Sequence, residues 1–193
     1  MSALPGFAQR HELGLLLGGI KPASRTLQIT PPGKGDFDAG MTLYANYGIR
    51  IAGSNESPTA LYFEIPFTAT PQHKITSASQ LITRDVATLF ITPGFRVKFA
   101  PGKRVAPYLA AGAGYGLFEH STLRADGQPN GAPRTLGRAA FNFGGGVDLH
   151  LWRWVAVRGE LRDFISGSPN FNVPVQGSVQ HSVLFAGGFS LRF

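Results

Sequence analysis

The sequence predicts an all-β protein, an eight-stranded antiparallel up-and-down transmembrane β-barrel. Three observations carry this expectation: hydrophobicity with a period of two over successive segments, an alternation of short and long connectors, and a charged content too low for a soluble surface. A strand turns its side chains to opposite faces at every residue, whereas a helix repeats about every 3.6 residues, so sustained alternation belongs to strands.

Leu13, Leu15 and Leu17 open the series. From Phe37 to Ile51 the alternation is unbroken, with Phe37, Ala39, Met41, Leu43, Ala45, Tyr47, Ile49 and Ile51 on one face. Asp38, Gly40, Thr42, Tyr44, Asn46, Gly48 and Arg50 fall on the other. Leu61, Phe63, Ile65 and Phe67 oppose Tyr62 and Glu64; Leu89, Ile91, Phe95, Val97 and Phe99 oppose Thr88, Phe90, Thr92, Arg96 and Lys98. Leu109, Tyr115 and Leu117 face away from Tyr108, Ala110, Gly112, Gly114 and Gly116. Phe141, Phe143, Val147 and Leu149 oppose Asn142, Asp148 and His150, and Val155, Val157 and Leu161 oppose Arg158, Glu160 and Arg162. Val183, Phe185, Phe189, Leu191 and Phe193 close the series against Ser182, Ser190 and Arg192. An even strand count without a helical segment is what an up-and-down barrel requires.

Long polar connectors are expected near 21–36, 70–84, 119–137 and 165–180, and short ones near 52–58, 100–105 and 151–153. Short periplasmic turns alternating with longer external loops characterise outer-membrane barrels, and eight strands then return both termini to the periplasmic side. The expected location is the bacterial outer membrane.

A chain of 193 residues is one domain's worth. Its charged fraction is 15% against about 25% in typical soluble domains, yet no run of about 18 apolar residues offers a spanning helix. A barrel wall facing lipid accounts for both. A soluble lipocalin-like barrel also alternates, but its second face would be rich in Lys and Glu. Here that face carries glycine, tyrosine and a few charges of both signs, as a packed polar interior does. Trp152 and Trp154 fall at a short turn, where an interfacial aromatic girdle belongs. The absence of cysteine suits an oxidising compartment. Residues 1–10 are set apart from the barrel domain, 11–193. They are either a disordered tail or the remnant of a secretory signal, with Gly6 and Ala8 at the small positions before a cut that leaves Gln9 first.

The final segment, Ala186-Gly187-Gly188-Phe189-Ser190-Leu191-Arg192-Phe193, resembles the last-strand assembly signal of the small eight-stranded outer-membrane barrels typified by the OmpA transmembrane domain and OmpX. Gly188, Leu191 and Phe193 match the pattern, and Ala186 replaces a usually polar residue. The resemblance covers 12–193 in architecture and implies recognition by the outer-membrane assembly machinery. Pro66 and Pro93 depart from it, because a closed ladder has little room for a missing donor, and bulges are expected there.

Nine charges are expected to point into the lumen: Asp38, Arg50, Glu64, Arg96, Lys98, Asp148, Arg158, Glu160 and Arg162. Unpaired buried charge is costly, so they must pair or find water. Glu64, Arg96, Arg158, Glu160 and Arg162 are the candidate central network, with Tyr44, Tyr62 and Phe90 filling the space opposite the glycines. The function this implies is non-enzymatic: a filled barrel that acts through its external loops. A narrow passive channel and a lipid-A or phospholipid-modifying enzyme are the alternatives. For the enzyme, a nucleophile and base must share one side of the wall. His181 and Ser182 point to opposite faces, which leaves His120 and Ser121 as the pair to examine. No catalytic, cofactor or metal site is assigned, since His11, His73 and His150 show no ligand spacing. The glycines of 112–116 are followed by no helix, so a dinucleotide loop is excluded.

The net charge is +7, but no basic stripe with interleaved aromatics suggests nucleic acid. Lys21, Arg25, Lys34, Lys74, Arg84, Arg124 and Arg134 lie in the expected external loops beside Asp36, Glu119 and Asp126. They are candidate contacts for outer-membrane lipid, including lipopolysaccharide phosphates. The partner of the loops is not legible.

Overall fold

The computed structural model describes residues 10–28, 33–77, 79–169, 171–173 and 175–193. The expectations for residues 1–9 lie outside the described residues. The strands are β1 (His11–Pro22), β2 (Arg25–Leu27), β3 (Gly33–Phe37), β4 (Gly40–Ala52), β5 (Thr59–Ser77), β6 (Asp85–Ile91), β7 (Gly94–Phe99), β8 (Val105–His120), β9 (Thr135–His150), β10 (Val155–Gly167) and β11 (Val179–Arg192). β6 and β7 lie end to end between β5 and β8 and make one wall strand, so the ring has eight members. Every pairing is antiparallel, and β1 pairs with β11, Leu15 opposite Phe189, to close the cylinder. Closure leaves no unpaired edge, the condition for crossing hydrocarbon with strands.

Side chains divide as the alternation predicts. Leu17, Phe95, Leu109, Phe143 and Phe185 stand outward and exposed, while their neighbours Leu16, Arg96, Tyr108, Asn142 and Leu184 are buried inside. A girdle of large exposed apolar residues around the whole barrel has no use in water and is satisfied by lipid.

The two prolines meet at one place. Pro93 lies in a break between β6 and β7, where a bulge was expected. Pro66 instead stays in register in β5, opposite Asn46 on β4, with no bulge of its own. On its other side the Thr92 N–H donates to the Pro66 carbonyl at 3.4 Å, but Pro66 has no N–H to return. The Asn142 Nδ2 substitutes, donating to the Thr92 carbonyl at 3.3 Å and to Thr92 Oγ1 at 2.7 Å. Gly112 permits this approach, since a Cβ there would collide with the Thr92 carbonyl oxygen.

The long unbroken strand expected from Phe37 to Ile51 is interrupted at Asp38–Ala39, and the faces reverse there. Phe37 is buried, not lipid-facing, and Asp38 is exposed, not luminal. The inward positions step by three, from Phe37 to Gly40, and β5 makes the same step from Thr70 to His73 through a register shift. Matched irregularities on neighbouring strands let the wall change face without losing its pairing. Beyond this level β3 pairs with β2 and with the far end of β5, Phe37 opposite Ile75.

The long connectors are thus more structured and more apolar inside than expected. Leu27, Ile75, Ile82, Phe171 and Val173 join Ile20, Phe37, Phe90, Phe118, Phe164 and Leu184 in one buried cluster that fills the long-loop half of the lumen. Phe90 stacks on Phe164 at 4.8 Å, and Phe37 meets Phe171 at 5.0 Å.

Candidate functional site: a charged plug in the barrel

The other half of the lumen is polar. All five expected network residues, Glu64, Arg96, Arg158, Glu160 and Arg162, are buried in it and joined, because strand parity aims them inward from β5, β7 and β10. Arg162 spans two carboxylates, with Nη2 donating to Glu64 Oε1 at 2.5 Å and Nε donating to Glu160 Oε1. Its Nη1 donates to Asn142 Oδ1 at 2.9 Å. Tyr44 and Tyr108 donate to the two oxygens of Glu160 at 2.8 and 2.7 Å, and Asn46 donates to Glu64 Oε2 at 2.8 Å.

Toward the short turns the hub is Glu12, 1% exposed, which the sequence reading missed. Arg96 and Arg158 donate to its Oε2 at 2.7 and 3.0 Å, Lys98 to its Oε1 at 2.6 Å, and Arg192 Nε lies 3.2 Å from Oε1. Asp148 takes Lys98 at 2.6 Å and a two-pronged contact from Arg158 at 2.6 and 2.8 Å. The signal for Glu12 was present: with Leu13, Leu15 and Leu17 outward, parity puts residue 12 inside. Arg96 Nη1 and Arg158 Nη1 have no hydrogen-bond partner, but both guanidinium groups lie against the Tyr108 ring, at 5.2 and 5.1 Å. Tyr62 and Tyr44 receive Arg96 and Arg162 in the same manner at 4.9 and 5.6 Å. Arg50, expected inside, lies half-buried at the mouth and donates to Asn55 Oδ1 at 2.8 Å.

Large side chains occupy the space that the glycines leave. A Cβ at Gly116 would meet the Phe90 ring, and one at Gly146 would meet the Tyr108 hydroxyl. The plug and the apolar cluster together fill the cylinder, as an eight-stranded circumference allows.

The seven cations expected in external loops do lie at the long-loop end, but spread around it. Arg84, Arg124 and Arg134 are paired with Asp85, Asp126 and Glu119 at 3.0, 2.6 and 2.9 Å. Hydrogen bonds from Arg124 hold the Asp126 carboxyl below its ordinary range. Arg25 reaches the Gly177 carbonyl at 3.5 Å, and Lys21, Lys34 and Lys74 are exposed without a carboxylate partner among the described residues. Including Arg138, eight cations at this end face six carboxylates: Asp36, Asp38, Asp85, Glu119, Asp126 and Asp163. The short-turn end is different. Among the described residues, Arg10, Arg50, Lys103, Arg104 and Arg153 share that end with a single side-chain carboxylate, Glu56.

His120 and Ser121 are engaged apart from one another: His120 Nδ1 meets the Pro133 carbonyl at 2.8 Å and Ser121 Oγ accepts from the Leu123 N–H at 3.3 Å. His181 binds Asp163 at 2.7 Å on the outer face, with Ser182 turned inward. No group of three metal-ligating side chains occurs among the described residues. At the C-terminus Gly188 packs where a Cβ would strike the Leu15 carbonyl, and Leu191 faces outward. Phe193 stacks on His11 at 5.7 Å and exchanges two backbone hydrogen bonds with it at 3.0 Å.

A closed eight-stranded barrel with an apolar girdle and a filled lumen is the fold of the small outer-membrane β-barrels. Among solved structures the chain is similar to Neisserial surface protein A, with 14% identity, TM-score 0.57, and coverage of 97% of this chain and 100% of that one. It is also similar to the outer membrane protein OprG from Pseudomonas aeruginosa, with 12% identity, TM-score 0.58, and coverage of 97% and 98%. No protein-family model and no curated protein sequence matches it.

Proposed function

We propose that this protein is a non-enzymatic barrel of the bacterial outer membrane, with both termini in the periplasm and a sealed lumen, acting through its long loops. The observation that carries the reading is the plug: the carboxylates of Glu12, Glu64, Asp148 and Glu160 are each held by at least one lumen cation. An apolar plug of packed aromatics continues it to the loops. The named location of the similar solved proteins supports the outer membrane, and the short-turn/long-loop asymmetry supports the orientation. On this reading Lys21, Lys34 and Lys74, exposed and without carboxylate partners, are the loop cations open to lipopolysaccharide phosphates. Purified protein in a planar bilayer is expected to give no sustained ion conductance. Stable single-channel steps from the unmodified chain would refute the sealed lumen and put solute passage in its place. Turnover of labelled lipid A or phospholipid would refute the non-enzymatic reading.

A further inference from the structure

We propose that the short-turn end binds the phosphate of an anionic phospholipid in the membrane leaflet beside it, through Lys103, Arg104 and Arg153 set around Trp152. This needs only that the barrel lie in a bilayer, and is independent of which end faces outward and of whether the lumen is sealed.

Three turns build the site. Gly102 lies so close to the Asn55 carbonyl that a Cβ would collide with it, which locks the β7–β8 turn onto the β4–β5 turn. The His150 N–H donates to the Arg104 carbonyl at 2.8 Å and His150 Nδ1 to the Lys103 carbonyl at 2.5 Å, which ties the β9–β10 turn to the same pair. With their carbonyls held, Lys103 and Arg104 are exposed, as is Arg153. A groove of about 500 Å³ runs between these turns, lined by Lys103, Arg104, Trp152, Arg153, His150 and Arg192. His150 Nε2 is shut from solvent and has no hydrogen-bond partner, so His150 serves the site by holding the Lys103 and Arg104 carbonyls.

Charge and level select the occupant. Most of the chain's positive excess collects here, where Glu56 is the one carboxylate among the turn residues. Leu151, Trp152 and Trp154 are 42%, 64% and 59% exposed and follow directly on the outward Leu149. Exposed tryptophans bordering an apolar girdle mark the headgroup level, so these cations stand among phosphates and not in bulk water. A soluble polyanion would need neither tryptophan.

The test uses the full chain in nanodiscs of phosphatidylcholine and phosphatidylglycerol, with lipid retained after transfer to detergent counted by native mass spectrometry. The unmodified protein is expected to retain phosphatidylglycerol preferentially. A cation near an anionic surface contributes about fivefold in affinity. The triple variant Lys103→Gln, Arg104→Gln, Arg153→Gln should therefore lower that preference by at least about tenfold. Arg84→Gln, Arg124→Gln, Arg134→Gln at the other end, where each arginine is already held by a carboxylate, should leave it intact, with heat-dependent gel migration confirming that both variants fold. No preference in the unmodified protein, or equal loss in both triples, overturns the site. Release of the retained lipid by excess inorganic phosphate would make it a soluble-anion site and overturn the lipid assignment.

Discussion

The two halves of the lumen are filled by opposite means. Toward the short turns, charged side chains from β1, β5, β7, β9, β10 and β11 meet in one ion-paired network centred on Glu12 and Glu64. Toward the long loops, aromatic and aliphatic side chains pack without charge, and several of them, Leu27, Ile82, Phe171 and Val173, come from the connectors. The charged half is costly to disturb, because removing a carboxylate leaves buried cations in excess of their counterions. The apolar half fails gradually, losing contact area and leaving a cavity that its neighbours relax into.

The comparison is broken most directly at Glu12. Glu12→Ala strips a partner from Arg96, Lys98, Arg158 and Arg192 at once, and a loss of about 3–5 kcal/mol is expected from urea unfolding in micelles. Glu64→Ala should follow at about 3 kcal/mol, since Arg162 keeps Glu160. In the other half, Phe90→Ala should cost about 3 kcal/mol and broaden the aromatic signals of Phe118 and Phe164 without disturbing the plug. Asn142→Ala should cost about 2 kcal/mol and speed amide exchange near Ala113, because the Thr92 carbonyl loses its substitute donor. Leu109→Ala on the lipid side opens no cavity and should stay within about 0.5 kcal/mol. If Glu12→Ala proved as mild as Leu109→Ala, the plug would not be what holds the short-turn half together.

The smallest effect is in a loop. Because Arg124 holds Asp126 low, what the pair contributes is present above the ordinary Asp range and is lost as pH falls through the lowered value. Arg124→Gln should return the Asp126 titration, read by NMR, toward the ordinary carboxylate range. An unchanged titration would assign the shift to the Gln128 N–H, which also donates to Asp126 at 3.0 Å.

Much of the plug was legible because parity is unforgiving in a strand: once Leu161 is outward, Arg158, Glu160 and Arg162 can only be inside. The same rule places Glu12 inside, one residue before the outward Leu13. Asp38 and Phe37 misled, since alternation ran on through a break that exists only because β3 leaves the barrel wall to join β2 and the end of β5. Arg50 lies at a strand end, where parity still holds but the neighbouring turn offers Asn55 as a partner.

The amino-acid sequence by itself determined the number of wall strands, most of the lipid-facing residues and most of the charges sent inward, because each follows from a local period of two, and the alternation of connectors follows from the spacing of those segments. Which carboxylate meets which cation, how Asn142 repairs the proline gap, and how three distant turns gather Lys103, Arg104 and Arg153 around Trp152 were decided only by closing the sheet. Those contacts join residues from separate strands and turns, and their distances are set by strand stagger and matched register shifts that no single segment encodes.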